Sequence, residues 1–180
     1  MEYLQIWIGR KPKKQIIECI NSVLDKVTDD DTYTLISSTN FMKDNPKVNW
    51  VSYTKYIKEI LKDENINNHW ENIPVEKESH WLRSDILRLH YLSNNEDVLY
   101  IDTDVDLESS FDLQKDKTYL PKHGKRLFDY FIMYGDKSLF KDMFDRWMLS
   151  PRGIMFGYVN HKRYINTYKT IPQTYKHLDI

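Results

Sequence analysis

Between Val98 and Glu108 the chain reads VLYIDTDVDLE. An apolar run passes directly into acids at every second position: Asp102, Asp104, Asp106 and Glu108. Carboxylates at this spacing repel one another, so they require a divalent cation, basic side chains or water to offset the repulsion. Side chains two apart on an extended segment project to the same side. Asp102 and Asp104 can then address one cation together, provided the backbone stays extended between them. Hard oxygen donors suit Mg²⁺ or Mn²⁺, which keep open positions for phosphate oxygens. An EF-hand loop is excluded, because Leu107 and Leu113 stand where that loop needs Gly and Glu. A solvated strand end with its acids paired to nearby lysines is the simplest competing reading.

The segment just upstream, HWLRSDILRLHYL, carries a second set of chemically able residues. On a helix, Trp81, Asp85 and Arg88 share one face, offset from the apolar stripe of Leu82, Ile86 and Leu89. Asp85 and Arg88 either form a surface pair or face the crevice at the strand end. In the crevice they would hydrogen-bond the hydroxyls of a polar ligand.

The elements that must position these residues can be read from periodicity. Val98 to Ile101 is a continuous apolar run, as expected of a strand covered on both faces in a parallel sheet. Ligands of open α/β sheets bind beyond the carboxyl ends of such strands, where Asp102 begins. YLQIWIG (Tyr3–Gly9) reads as a first strand and TYTLISS (Thr32–Ser38) as a second. Between them Ile16, Ile20, Val23, Leu24 and Val27 recur at helical spacing, and Cys19 falls on the apolar side. The acidic turn Asp29–Asp31 reads as a solvated loop. A helix is expected from Trp50 through Glu64, with Val51, Ile57, Ile60 and Leu61 inward. A polar loop is expected over 63–78, marked by Asn67, Asn68 and Pro74. The Asn94-Asn95 pair ends the next helix; a last helix, KSLFKDMFDRWML, precedes an irregular basic tail. This order predicts an α/β fold in one domain over 1–180, with a mostly parallel sheet flanked by helices.

Composition narrows the function classes. The net charge of −1 gives no basic field for nucleic acid or an anionic membrane. No apolar run approaches the ~20 residues needed to span a bilayer. A single cysteine rules out an internal disulfide, and no Asn-x-Ser/Thr sequon occurs. A cytoplasmic setting fits these features, and the chain can still be one part of a longer protein. The 13 Tyr, 7 Phe and 5 Trp serve a core first, but such rings also stack on sugars and bases.

Taken together, SDILRLHYL followed by VLYIDTDVD resembles the signature of the DXD glycosyltransferases of the sugar-binding-region family, which includes Och1-like mannosyltransferases and the catalytic core of the clostridial glucosylating toxins. IWIG near the N-terminus is similar to that family's first strand. The resemblance is closest over residues 3–9 and 79–112. In size and plan the chain is also similar to compact viral glycosyltransferase domains, for which the setting would be the host cytoplasm. One departure is that the family usually carries Gly-Gly before the strand, where this chain has Asn94-Asn95-Glu96-Asp97; Asn tolerates the left-handed geometry such a turn needs.

The resemblance implies a GT-A fold, a Rossmann-like α/β unit, with a nucleotide-sugar donor (a UDP-sugar favoured) and Mn²⁺ or Mg²⁺. The acceptor would be a glycan or a protein hydroxyl. Trp7 would stack on the donor base with Ile8 beside it. Asp85 and Arg88 would bind sugar hydroxyls; Asp102 would contact ribose, sugar and the metal shell; Asp104 would ligate the metal. A third ligand would come from the C-terminal region, His177 first and His161 second. Lys162, Arg163, Lys169 and Lys176 would be available to phosphate oxygens. If the reaction inverts configuration, Asp136 is the candidate base, against its alternative as a helix cap. Two further readings are a haloacid-dehalogenase-like phosphohydrolase with Asp102 as nucleophile, and a carbohydrate-binding domain without turnover. The first is weakened by Asp106, which stands where that family has Thr or Val.

Overall fold

The computed structural model describes residues 1–71, 79–123, 127–128, 131–149 and 168–178. Its elements run β1 (Glu2–Trp7), α1 (Lys14–Leu24), β2 (Thr32–Ser37), β3 (Val48–Ser52), α2 (Tyr53–Ile60), α3 (Glu64–Glu71), α4 (Ser79–Asn94) and β4 (Val98–Ile101). Next come β5 (Val105–Leu107), β6 (Thr118–Leu120), β7 (Lys122–His123), β8 (Leu127–Phe128), β9 (Ile132–Tyr134), α5 (Lys137–Leu149), β10 (Tyr168–Thr170) and β11 (Tyr175–His177).

The central sheet has seven strands in the order β10-β6-β9-β4-β1-β2-β3. β1 runs parallel to β2 and β4, and β2 parallel to β3, whereas β9 is antiparallel to both β4 and β6. Period-two alternation divides the core into two layers. Leu4, Ile6, Ile36, Val98 and Tyr100 pack on one face with Ile57, Ile86, Leu89 and Trp147 from the helices. Tyr3, Tyr33, Leu35, Leu99 and Ile101 pack on the other with Ile16, Ile20, Val23 and Val105. The expected α/β fold with a mostly parallel sheet flanked by helices is therefore what the chain adopts. Among the described residues, no helix is long and apolar enough to cross a membrane.

Three local expectations are corrected. Val51 belongs to β3, not to a helix beginning at Trp50. The alternating Val-Asn-Trp-Val-Ser sequence pairs with β2, and Ser52 then caps α2 by accepting Lys55 N–H at 3.4 Å. Residues 64–71 are helical rather than loop, because Asp63 Oδ1 accepts the N–H groups of Asn65 and Ile66 at 2.9 and 3.3 Å and Ile66 is buried. The remainder of that expected loop, with Pro74, lies outside the described residues. The basic tail is not wholly irregular, since it supplies β10 and β11.

The left-handed residue before β4 is Asp97, with φ 58°, and not either asparagine. Its carboxylate compensates for that geometry by accepting Tyr134 Oη–H at 2.8 Å and pairing with Lys115 Nζ at 2.7 Å. Asn94 and Asn95 instead cap the α4 C-terminus, donating to the carbonyls of His90 and Tyr91 at 2.7 and 2.9 Å.

Candidate metal centre

The chain leaves the core at Asp102, whose backbone is held from two sides. Its N–H donates to the Phe131 carbonyl at 2.7 Å, extending the β4–β9 ladder one step past the Ile101–Ile132 pair. Its own carbonyl accepts Gln5 Nε2–H at 3.1 Å, and Gln5 Oε1 in turn accepts Tyr33 Oη–H at 2.6 Å. Gln5 and Tyr33 are both buried, so this chain of hydrogen bonds lies beneath the strand end.

The backbone does not stay extended after Asp102. Val105 N–H folds back to the Asp102 carbonyl at 3.2 Å, making a turn at Thr103 and Asp104. The two acids therefore do not share a side by strand alternation, yet the turn still brings their carboxylates together. After the turn, β5 pairs antiparallel with β11, and that register sets His177 opposite Val105. Leu178 N–H adds a bond to the Asp104 carbonyl at 3.0 Å. One ligand atom each from Asp102, Asp104 and His177 then lie within 4.8 Å of one another. His177 Nε2 is 3.4 Å from Asp104 Oδ1.

These three residues fit a divalent cation. Asp104 Oδ1 is shielded from solvent and receives no hydrogen bond. A buried carboxylate oxygen without a donor is costly unless a charge partner meets it. Two carboxylates and an imidazole form a donor set acceptable to Mn²⁺ or Mg²⁺, with the imidazole favouring the softer Mn²⁺.

Arg88 stands beside the acids on the α4 side. Asp102 keeps the parity of Val98 and Tyr100, so its side chain leans toward α4. Arg88 Nη1 is 3.4 Å from Asp102 Oδ1, and Arg88 also pairs with Asp85 one turn earlier on the helix. Tyr100 donates its hydroxyl to Asp102 Oδ1 and lies with its ring 5.2 Å from the guanidinium. Burial pushes the Asp102 carboxyl above its ordinary range; Arg88 and Tyr100 oppose that, and the charge of Asp104 adds to it. Arg88 and Asp85 are thus a site-facing pair, with side chains only 13% and 18% exposed, and not a solvated surface pair.

Other expected residues fall in different places. Trp7 packs toward the α1 side of the sheet and Ile8 toward the opposite side. The Trp7 indole N–H donates to the Arg10 carbonyl at 2.7 Å, leaving the ring at the carboxyl end of β1. Lys176 pairs with Glu108 at 2.9 Å, and Lys169 donates to Gln114 at 3.0 Å. His161, Lys162 and Arg163, and the side chain of Trp81, lie outside the described residues.

Asp136 is not brought to the cluster. The antiparallel register puts Tyr134 opposite Leu99 and Ile132 opposite Ile101, so Asp136 lies past the start of β4 and Asp102 past its end. The register sets Asp136 level with Asp97, five residue rises or about 17 Å from Asp102. Asp136 Oδ1 accepts the N–H and the hydroxyl of Ser138 at 2.7 and 2.8 Å, the work of a cap on α5. Of the two roles expected for Asp136, these contacts are those of the helix cap. The supporting residues not anticipated from sequence are Gln5, Tyr100 and Phe131; the first is a polar side chain inside an apolar strand, which was the available signal.

No family model matches the chain, and no curated protein matches it. Its backbone is similar to the solved PaToxG glycosyltransferase, with a TM-score of 0.63 and 21% identity over 89% of this chain and 63% of that one. It is also similar to the glycosyltransferase GlyE of Streptococcus pneumoniae TIGR4, at TM-score 0.55 and 9% identity over 94% of this chain and 44% of that one. The apo form of GlyE gives 0.54 and 8%, with 96% and 45% covered. The chain spans less than two thirds of each of these proteins. At these identities the likeness is one of fold, and the fold is the one that these glycosyltransferases share.

Proposed function

We propose that the chain is a metal-dependent glycosyltransferase of the DXD type, a single catalytic domain over 1–180. It would move a hexose or deoxyhexose from a nucleoside diphosphate, a UDP-sugar favoured, to a hydroxyl of a glycan or protein in the cytoplasm. The observation that carries this reading is the meeting of Asp102, Asp104 and His177 at the carboxyl end of β4, with Arg88 and Asp85 alongside. The fold shared with glycosyltransferases supports it.

Asp102 and Asp104 repel a diphosphate, so a cation between them and the donor is a requirement of charge. When bound, that cation neutralises the diphosphate and the charge that develops on it as the sugar departs. The protein's own residues do the rest. Asp104, in the turn that leads into β5, and His177, at the end of β11, would hold the cation, with Asp102 completing the set. Asp85 and Arg88 would orient the sugar by its hydroxyls, Asp85 as acceptor and Arg88 as donor. Trp7 would offer a flat face to the base beyond β1.

A thermal-shift panel of nucleotide-sugars tests this reading. UDP-sugars should raise Tm only when Mn²⁺ or Mg²⁺ is present, and donor hydrolysis should follow the same requirement. Asp104→Ala should abolish both. Metal-dependent donor binding that survives in Asp104→Ala overturns the assignment, and rapid release of phosphate from an aryl phosphate favours the phosphohydrolase.

A further inference from the structure

Phe131 touches two of the three clustered residues in two different ways. Its carbonyl takes the Asp102 N–H at 2.7 Å. Its ring stacks on the His177 imidazole, with centroids 4.5 Å apart and planes 6° from parallel. Tyr175 meets the same ring edge-on at 5.5 Å and 68°, and Phe111 meets Tyr175 at 6.4 Å and 67°, so the stack is backed by further aromatics. We propose that Phe131 is a positioning residue for the candidate metal centre: its ring fixes the plane of His177, and its backbone fixes the height of Asp102. The proposal rests on the metal-dependent reading given above.

The lone pair of a ligating imidazole nitrogen lies in the ring plane, so a tilt of the ring carries it off the cation. Metal-bound histidines are commonly held by a hydrogen bond on their other ring nitrogen. The partners of the His177 ring among the described residues are the Asp104 carboxylate and the Phe131 ring. A stacked aromatic permits rotation within its own plane and resists tilting, which an aliphatic side chain of similar volume does not. β11 is only three residues long and His177 is 40% exposed, so the ribbon alone gives the imidazole little orientation.

The test is Mn²⁺ titration of the full chain, read from the electron paramagnetic resonance signal of free Mn²⁺, without donor. Phe131→Leu should weaken Mn²⁺ binding about tenfold, in the range for residues that orient metal ligands, and Phe131→Tyr should restore it. In a His177→Ala background, Phe131→Leu should have no further effect, because the interaction is with that ring. In metal-free wild type the His177 Hε1 resonance should be shifted upfield by the ring current of Phe131, and this readout does not depend on any variant folding. Wild-type affinity in Phe131→Leu overturns the proposal. So does an undiminished loss in the His177→Ala background, or a His177 resonance without the upfield shift. The underlying reading fails separately, taking the proposal with it, if wild type binds no Mn²⁺ or if Asp104→Ala binds it unchanged.

Discussion

The guanidinium of Arg88 stands 3.4 Å from Oδ1 of Asp102 and joins α4 to the end of β4. It also pairs with Asp85, so one cation serves two carboxylates in a partly enclosed site. Arg88→Ala strands both acids near Asp104. Loss of one partner from an enclosed pair costs several kcal/mol, and with this degree of exposure about 2–3 kcal/mol is expected. Arg88→Lys should recover only part of that, since an ammonium cannot span both acids with a planar fork. Urea denaturation midpoints at constant m check both values.

Gln5 is fully buried between Tyr33 and the Asp102 carbonyl. Gln5→Leu leaves the Tyr33 hydroxyl without its acceptor and should cost about 1–3 kcal/mol. Removing both polar groups in Gln5→Leu/Tyr33→Phe should restore much of the loss. A double-mutant cycle on unfolding free energies measures the coupling, and strict additivity would contradict it.

Gly135 has φ +151°, and a Cβ there would stand 2.7 Å from the Thr118 Cα. Backbone cannot yield as a flexible side chain can, so Gly135→Ala should cost about 2–3 kcal/mol or more. Gly9 has φ +124° with open space around it, so Gly9→Ala should cost only the backbone strain, about 1 kcal/mol. Thermal melts of the two variants should fall in that order.

Stability should decline in acid partly through Asp97. Burial would raise its carboxyl, but Lys115 and the Tyr134 hydroxyl outweigh that and hold it below the ordinary range. A carboxyl depressed in the folded state contributes stability that is present above its unfolded pKa of about 4. That contribution is lost as pH falls through the folded value. Lys115 is 80% exposed, so the ion pair itself is screened and the whole effect should be about 1 kcal/mol. Asp97→Asn should flatten the slope of stability against pH below 4, measured by urea midpoints from pH 7 to 3.

Much of the architecture was legible because its signals are local. The apolar run at Val98–Ile101 and the helical spacing of Ile16, Ile20 and Val23 each report their own burial. The acids at 102 and 104 and the pair at 85 and 88 were legible as chemistry, since unlike types at fixed spacing stand out against an apolar frame. The register between β4 and β9 was not legible. Nothing local in Asp136 says which end of β4 it will face, and an antiparallel partner reverses that answer. β3 was missed because Val51 and Trp50 suit a strand and a helix equally until pairing with β2 decides. Phe131 escaped notice for a related reason: one aromatic among many gives no sign of which ring it will meet.

The β5–β11 ribbon also sets an order of events during protein synthesis. Asp102 and Asp104 leave the ribosome long before His177, and everything from Glu108 to Thr174 must emerge before Tyr175–His177 can pair with Val105–Leu107. At about 5–20 residues per second, that interval lasts several seconds. β1, β2, β3 and β4 can assemble in that time, but the cluster still lacks its imidazole. A nascent chain therefore carries both acids of the cluster well before it carries the imidazole.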